Sequence, residues 1–353
     1  FEEQLIYIMN HAEDKFLFVD PTFMSRVEGL HADLNSIKGF IVMCNVEEMP
    51  ETTLANVYCY ESLLEGCEPH YEWPQFDENT ASSLCYTSGT TGNPKGVLYG
   101  HRSTVLHSWC ASSADGLGIR NDDSLLVIVP MFHANAWGTP YAAPMWGAKM
   151  VFPGPHLDGE SLVELIQKEG VTLSAAVPTV WLGILQYLKK SGKDLGCLER
   201  VVIGGTAAPP VMVRTLQEEY GVRVCHAWGM TEMSPLGTAT VKTKEMEDMD
   251  IEARYDLQQK QGKAFFGVEM TIADDDGNEL PQDGVAFGRL LVKGPTIVDT
   301  YFKSNDSAKD ENGWFDTGDV AKIHPEGYME IDDRSKDVIK SGGEWISSID
   351  LEN

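Results

Sequence analysis

The sequence predicts an α/β protein, with layered α/β subdomains followed by a smaller β-rich subdomain. Three observations carry that prediction. Short apolar runs alternate with stretches of helical period through the first two thirds of the chain. Near residue 235 the texture changes to short strand-like runs broken by Gly and Pro turns. And 353 residues are too many for one ordinary compact domain.

Taken in order, 16–20 and 39–45 read as buried strands around a helix-like 24–34. Residues 81–86 form a strand that runs into a glycine-rich loop, and Ser103 can cap the helix beyond it. Apolar strands follow at 124–130 and 149–152. The stretch 159–169 has Leu162, Leu165 and Ile166 at helical spacing, and 171–177 reads as a strand. Pro178 opens the next helix, where its missing N–H costs nothing. The pattern repeats through 201–204, 211–220 and 222–227. Residues 242–250 are acidic and poor in apolar side chains, so they read as a solvated connector. Beyond them Asp275-Asp276-Gly277 marks a turn between strands, and 288–293, 319–323 and 328–331 complete a twisted sheet or partial barrel.

The formal net charge is −27, which argues against a nucleic-acid or anionic-membrane partner, since both call for basic patches. No apolar run approaches the ~20 residues that span a bilayer. Seven scattered cysteines without a C-x-x-C pair suit free thiols in a reducing cytoplasm. Cys85, beside the glycine-rich loop, reads as a small buried apolar residue. Both ends read as the interior of an element, so the chain is expected to be the middle of a longer protein.

The loop itself is Tyr86-Thr87-Ser88-Gly89-Thr90-Thr91-Gly92-Asn93-Pro94-Lys95-Gly96. Glycines let the backbone present N–H groups to an anion, the hydroxyls add donors, and Lys95 adds a point charge. In the Walker loop a Lys-Ser/Thr pair opens a helix. Here Lys95 leads into Gly96-Val97-Leu98-Tyr99, a second strand, so the loop is expected to join a hairpin.

This string resembles the phosphate loop of the acyl-adenylate-forming (AMP-binding) superfamily of acyl-CoA synthetases, luciferases and peptide-synthetase adenylation domains. Later segments match that superfamily in order. His226-Ala227-Trp228-Gly229-Met230-Thr231-Glu232 is similar to the adenine and magnesium motif. It implies that Trp228 stacks on the base, Thr231 bonds the α-phosphate and Glu232 places Mg²⁺. Gly204-Gly205-Thr206-Ala207 resembles the adenine-side turn. Gly313–Asp319 resembles the segment whose Asp, here Asp319, accepts from both ribose hydroxyls, with Arg334 as a second ribose or phosphate contact. Asp333 falls at the superfamily's hinge and Lys340 at the opening of its mobile lid, near the thioester-forming face. That resemblance divides the chain at 1–235, 236–332 and 333–353, the last being hinge and lid.

Val129–Gly138 resembles the segment lining the acyl pocket. His133 then stands beside the reacting carboxylate, and Trp137 matches a gate in medium- and long-chain fatty-acyl-CoA synthetases. No Asp at the pocket start suggests recognition of an amino group, which counts against an amino-acid-activating domain. The resemblance implies ATP, Mg²⁺ and coenzyme A, a small carboxylate and AMP-forming acid–thiol ligation. The fatty-acid reading leads; short-chain, methylthio-substituted or aryl acids, luciferase-like oxygenation and a non-catalytic nucleotide-binding fragment stay open, as does a homodimer. The superfamily's lid lysine lies beyond residue 353, so this piece alone is expected to adenylate poorly.

Overall fold

The computed structural model describes residues 1–87, 92–240, 243–334, 339–341 and 344–346. The chain divides into two compact units, residues 1–78 with 86–96, and residues 79–85 with 97–353.

In the first unit, strands β1 (Phe16–Val19), β2 (Gly39–Val42) and β3 (Val57–Cys59) form a parallel sheet. Val19, Val27, Leu30, Phe40 and Val42 fill its core, with Leu5, Ile6 and Met9 of the helix Glu2–Ala12 packed against them. His11 on that helix meets the Tyr86 hydroxyl at 2.7 Å. Burial pushes the Tyr86 phenol up to about 12. A hairpin, β4 (Ala81–Thr87) and β5 (Lys95–Gly100), brackets the glycine-rich loop as expected. The helix His101–Ser112 follows. Ser103 lies in its first turn rather than ahead of it, and its hydroxyl oxygen accepts from the Gly100 N–H at 3.2 Å.

The second unit is built on a seven-stranded sheet. Its strands are β6 (Ser124–Val127), β7 (Lys149–Val151), β8 (Leu173–Ala176), β9 (Arg200–Ile203), β10 (Arg223–Gly229), β11 (Leu236–Ala239) and β12 (Lys263–Ala264). They lie in the order β12-β11-β10-β9-β8-β6-β7. Pairing from β7 to β10 is parallel, and β11 and β12 add antiparallel edges. Both faces are covered, so the central strands are apolar throughout, and period 2 sorts each strand between the two cores. Leu126, Val201, Ile203 and Val224 face Leu162, Ile166, Trp181 and Leu188 of the helices Gly159–Glu169 and Pro178–Ser191. Leu125, Val127, Val202 and Ala227 face the other way, toward Ala111, Ala142 and Ala143. The first of those helices is set at both ends: Asp158 accepts from the Ser161 N–H at 3.0 Å, and Gly170 closes it at φ 61°.

The strand order reverses between β6 and β8. In open parallel sheets such a switch point, at the carboxyl ends of the strands, is where ligands bind. The loops leaving β6, β8, β9 and β10 at that edge begin at residues 128, 177, 204 and 230.

Strands β13 (Glu269–Ala273), β14 (Phe287–Lys293), β15 (Phe315–Ile323) and β16 (Met329–Arg334) form a separate antiparallel sheet. Along β14 buried and part-exposed residues alternate strictly, the mark of a sheet with one covered face. The connector at 242–250 contains a helical turn, Glu245–Asp248, and the helix Ile251–Gln259 beyond it left no clear apolar stripe in the sequence. A two-stranded ribbon, β17 (Ile339–Ser341) with β18 (Glu344–Ile346), ends the described chain. Among the described residues no helix is long and apolar enough to cross a membrane.

Candidate active site

Strand β10 delivers the first group. Its residues 224–228 are buried, and Gly229 at its carboxyl end is exposed. His226 is 1% exposed, its Nδ1 donating to the Gln259 carbonyl at 2.8 Å. Burial pulls its pKa down against backbone contacts with Gln259, Thr206 and Lys260. His226 is therefore a neutral tie between β10 and the turn after β9. Two residues on, the Trp228 indole N–H donates to the Asp319 carboxylate at 3.1 Å. Asp319 is 3% exposed and sits opposite Arg334 in the β15–β16 ladder. The candidate adenine and ribose residues, 91 positions apart, are thus in direct contact.

Past β10 the chain turns through Thr231–Met233. Glu232 is buried at 7% exposure, and Tyr301 donates to its Oε1 at 2.8 Å. The Thr231 carbonyl accepts from the Tyr99 hydroxyl at 2.6 Å. Burial, reinforced by the Glu232 charge, pushes both phenols well above the ordinary tyrosine range, so each remains a donor. Tyr99 and Glu232 line a cleft of about 320 Å³ that also takes in Arg102, Ser103 and Asp299. Among the described residues no cluster of three or more His, Cys, Asp or Glu could hold a metal. Glu232 nonetheless suits Mg²⁺, which is commonly bound through one or two carboxylates and completed by substrate phosphates. Its second oxygen keeps acceptor capacity beyond the Tyr301 bond.

At the end of β9, Gly204 is buried while Gly205, Thr206 and Ala207 are exposed. A Cβ on Gly204 would stand 2.9 Å from the Ala227 carbonyl and 3.2 Å from Cη2 of Trp137, so only glycine fits there. Gly205, at φ +83°, adopts a left-handed conformation.

The Trp137 ring arrives from the loop after β6, and its backbone is unusual. Ala134, Asn135, Ala136 and Trp137 all have positive φ, between 44° and 56°, and Gly138 follows at 76°. This is one turn of left-handed helix. For residues other than Gly or Asn that geometry costs roughly 1–2 kcal/mol each, so neighbouring structure must enforce it. Trp137 and Ala136 are buried, and His133, just ahead of the turn, is exposed. Beneath the turn lies His107, fully enclosed. Its Nε2 accepts from the Leu236 N–H at 2.9 Å, and its ring comes within 3 Å of where a Gly138 Cβ would stand. Burial lowers its pKa to about 3, so it is neutral and carries its proton on Nδ1. Cys85 is buried as the sequence suggests, and burial raises its thiol pKa.

Thr87, Gly92 and Lys95 belong to the first unit, where Lys95 is exposed at the start of β5 and Gly92 has φ +88°. Ser88, Gly89, Thr90 and Thr91 lie outside the described residues, as does Asp333 in all but its backbone. Arg334 ends β16, and Lys340 pairs with Trp345 in the terminal ribbon. Sequence reasoning missed Tyr99, Tyr301, His107 and Asn135. Tyr301 carries no local signal, for it joins Glu232 across 69 residues.

Residues 1–302 match the family model described as AMP-binding enzyme. The chain is 53% identical over its whole length to a 3-methylmercaptopropionyl-CoA ligase of Ruegeria lacuscaerulensis, and spans 66% of that protein. It is 48% identical, again over its whole length, to a medium-chain-fatty-acid–CoA ligase of Ectopseudomonas oleovorans, spanning 65% of it. The crystal structure of an anthranilate CoA ligase in complex with anthranoyl-AMP superposes with a TM-score of 0.84 at 23% identity, covering 99% of this chain and 65% of that one. The chain spans about two thirds of the curated relatives it matches. A sheet order with its switch point at the candidate site, motifs in sequence order and a family match over most of the chain agree: this chain belongs to the AMP-binding enzyme family.

Proposed function

We propose that the protein containing this chain joins a carboxylic acid to coenzyme A in two steps at the carboxyl edge of the seven-stranded sheet. In the first, a carboxylate oxygen of the acid attacks the α-phosphorus of ATP. The new P–O bond gives acyl-AMP, and the α–β bridge bond breaks to release pyrophosphate. In the second, the coenzyme A sulfur, having lost its proton, attacks the acyl carbon, and AMP departs with the electron pair of the carbon–oxygen bond. No covalent enzyme intermediate is required, so positioning and charge neutralisation carry the first step.

The observation that carries this reading is the Trp228–Asp319 contact standing beside buried Glu232. Asp319 accepts from a ribose diol, and Trp228 fixes the carboxylate from the side. Glu232, held by Tyr301, would hold Mg²⁺, which would offset charge on the phosphates. Thr231 offers a donor to the α-phosphate. The motif assigns Lys95 a phosphate contact, and Gly205–Ala207 face the base. His133 stands by the acid, with Trp137 forming its wall. Arg334 is a second ribose or phosphate contact, and Lys340 acts in the thioester-forming arrangement.

The acid is a linear, apolar one. The fatty-acid reading is supported by the medium-chain relative at 48% identity. A short methylthio acid is the second reading, supported by the mercaptopropionyl relative at 53% and by the Trp137 ring lying closed over Gly204. The test is AMP release by the full-length protein across acetate, 3-methylthiopropionate, octanoate, palmitate and benzoate. Turnover highest on octanoate supports the first reading, and highest on 3-methylthiopropionate the second. Preference for benzoate, or no AMP release from any of them, overturns both.

A further inference from the structure

We propose that Asn135 is the positioning residue that sets acid selectivity, by clamping the left-handed turn to β4 and so fixing where the Trp137 ring lies. This inference rests on the reading of Trp137 as the wall of the acyl pocket.

One amide makes both ends of the clamp. Asn135 Nδ2 donates to Ser83 Oγ at 2.9 Å, and the Cys85 thiol donates to Asn135 Oδ1 at 3.3 Å. Ser83 and Cys85 are two residues apart, so they present side chains on the same face of β4. An amide, with a donor and an acceptor on one carbon, matches that pair, and Ala, Ser or Leu would not. Asparagine also tolerates left-handed backbone better than other residues with a Cβ. Local hydrogen bonds account for the rest of the turn: Ala136 N–H to the His133 carbonyl at 3.0 Å, Gly138 N–H to that of Asn135 at 2.9 Å, and the Thr139 hydroxyl to that of Ala136 at 2.8 Å. All three lie within residues 133–139, so they shape the turn without anchoring it. The Asn135 amide anchors it to the strand that enters the glycine-rich loop two residues after Cys85. Two residues along, the Trp137 indole lies on Gly204, at a point fixed by where the turn is held.

Three variants of the full-length protein separate the contributions. Asn135→Gly keeps the left-handed backbone and removes the amide. Asn135→Asp keeps an oxygen that accepts from Cys85 and from the Ser83 hydroxyl. Ser83→Ala removes one partner and leaves the turn untouched. Each is read by KM for acids of increasing length, by KM for ATP, and by amide hydrogen exchange at 134–138. Loss of both bonds in Asn135→Gly is expected to raise the acid KM about tenfold and flatten the chain-length preference. The ATP KM should stay within about twofold, because the removed contact touches no nucleotide group. Exchange at 136 and 138 should accelerate. Ser83→Ala is expected to give a smaller shift of the same kind, about threefold, and Asn135→Asp to recover most of the selectivity.

An unchanged acid KM and length profile in Asn135→Gly overturns the proposal. So does an equal loss in the acid and ATP parameters, which marks a merely structural role. If Asn135→Gly does not fold, Ser83→Ala decides alone, and an unchanged length profile there is fatal. Trp137→Phe separates the two readings. If it leaves acid selectivity unaltered, the acyl-wall assignment fails. If it alters selectivity while the Asn135 and Ser83 variants do not, only the clamp fails.

Discussion

Two corners of the same sheet edge are built by opposite means. The corner after β10 is polar: Asp319, Glu232, Tyr99, Tyr301 and the Trp228 N–H are tied by bonds of 2.6 to 3.1 Å, with a single left-handed residue, Ser234. The corner after β6 contains five consecutive left-handed residues, four of them not glycine, and no charged side chain between Ala134 and Gly138. Hydrogen-bonded charges place the first; packing and one amide hold the second against its own backbone preference. On the proposed reading the contrast separates two tasks. Holding an anionic nucleotide calls for fixed dipoles, whereas shaping an apolar pocket calls for rings in fixed positions.

That difference can be broken one corner at a time. The largest effect on stability is expected from Trp137→Ala, which empties a buried ring site and should cost about 3–5 kcal/mol in urea unfolding. Glu232→Gln should behave oppositely, lowering Mg²⁺-dependent ATP–pyrophosphate exchange by roughly 10²–10³-fold. Its unfolding free energy should change by less than about 1 kcal/mol, since the amide oxygen still accepts from Tyr301. A Glu232→Gln protein that loses stability as Trp137→Ala does would erase the distinction. Tyr301→Phe removes the bond that aims Glu232 and should raise the Mg²⁺ requirement about 10–100-fold, measured by titrating exchange against Mg²⁺.

The smallest effect lies beneath the strained turn. His107 is held neutral, its pKa lowered by burial from 6.5 to about 3. Below 6.5 the unfolded chain binds a proton that the folded chain refuses, so this stability is present above 6.5 and lost as pH falls toward 3. Between pH 7 and pH 5 wild type should lose about 2 kcal/mol more than His107→Gln, measured by urea unfolding at the two values. Equal losses would show that another group carries the acid sensitivity.

Most of the fold was legible, because doubly covered strands and capped helices leave apolar runs and stop signals. Pro178 marked a helix start that the structure keeps. The helix Ile251–Gln259 did not, since its buried residues are Tyr255 and Gln258 rather than an aliphatic stripe. In the site, Trp228, Glu232 and Asp319 were findable because their spacing sits within contiguous strings. Their partners were not, because a tyrosine 69 residues from its carboxylate has no pattern to read. Nor could the left-handed turn be read: Ala134-Asn135-Ala136-Trp137 contains no glycine, so its backbone is imposed from outside by β4 and His107.

The same turn has a consequence for laboratory evolution. Ala134 and Ala136 each occupy a conformation that glycine adopts without penalty, so Ala→Gly changes there relieve strain rather than introduce it. A screen that rewards heat resistance alone is expected to return glycine at these two positions. Those survivors would have a looser Trp137 and a broader choice of acid, so durability and discrimination would have to be selected together.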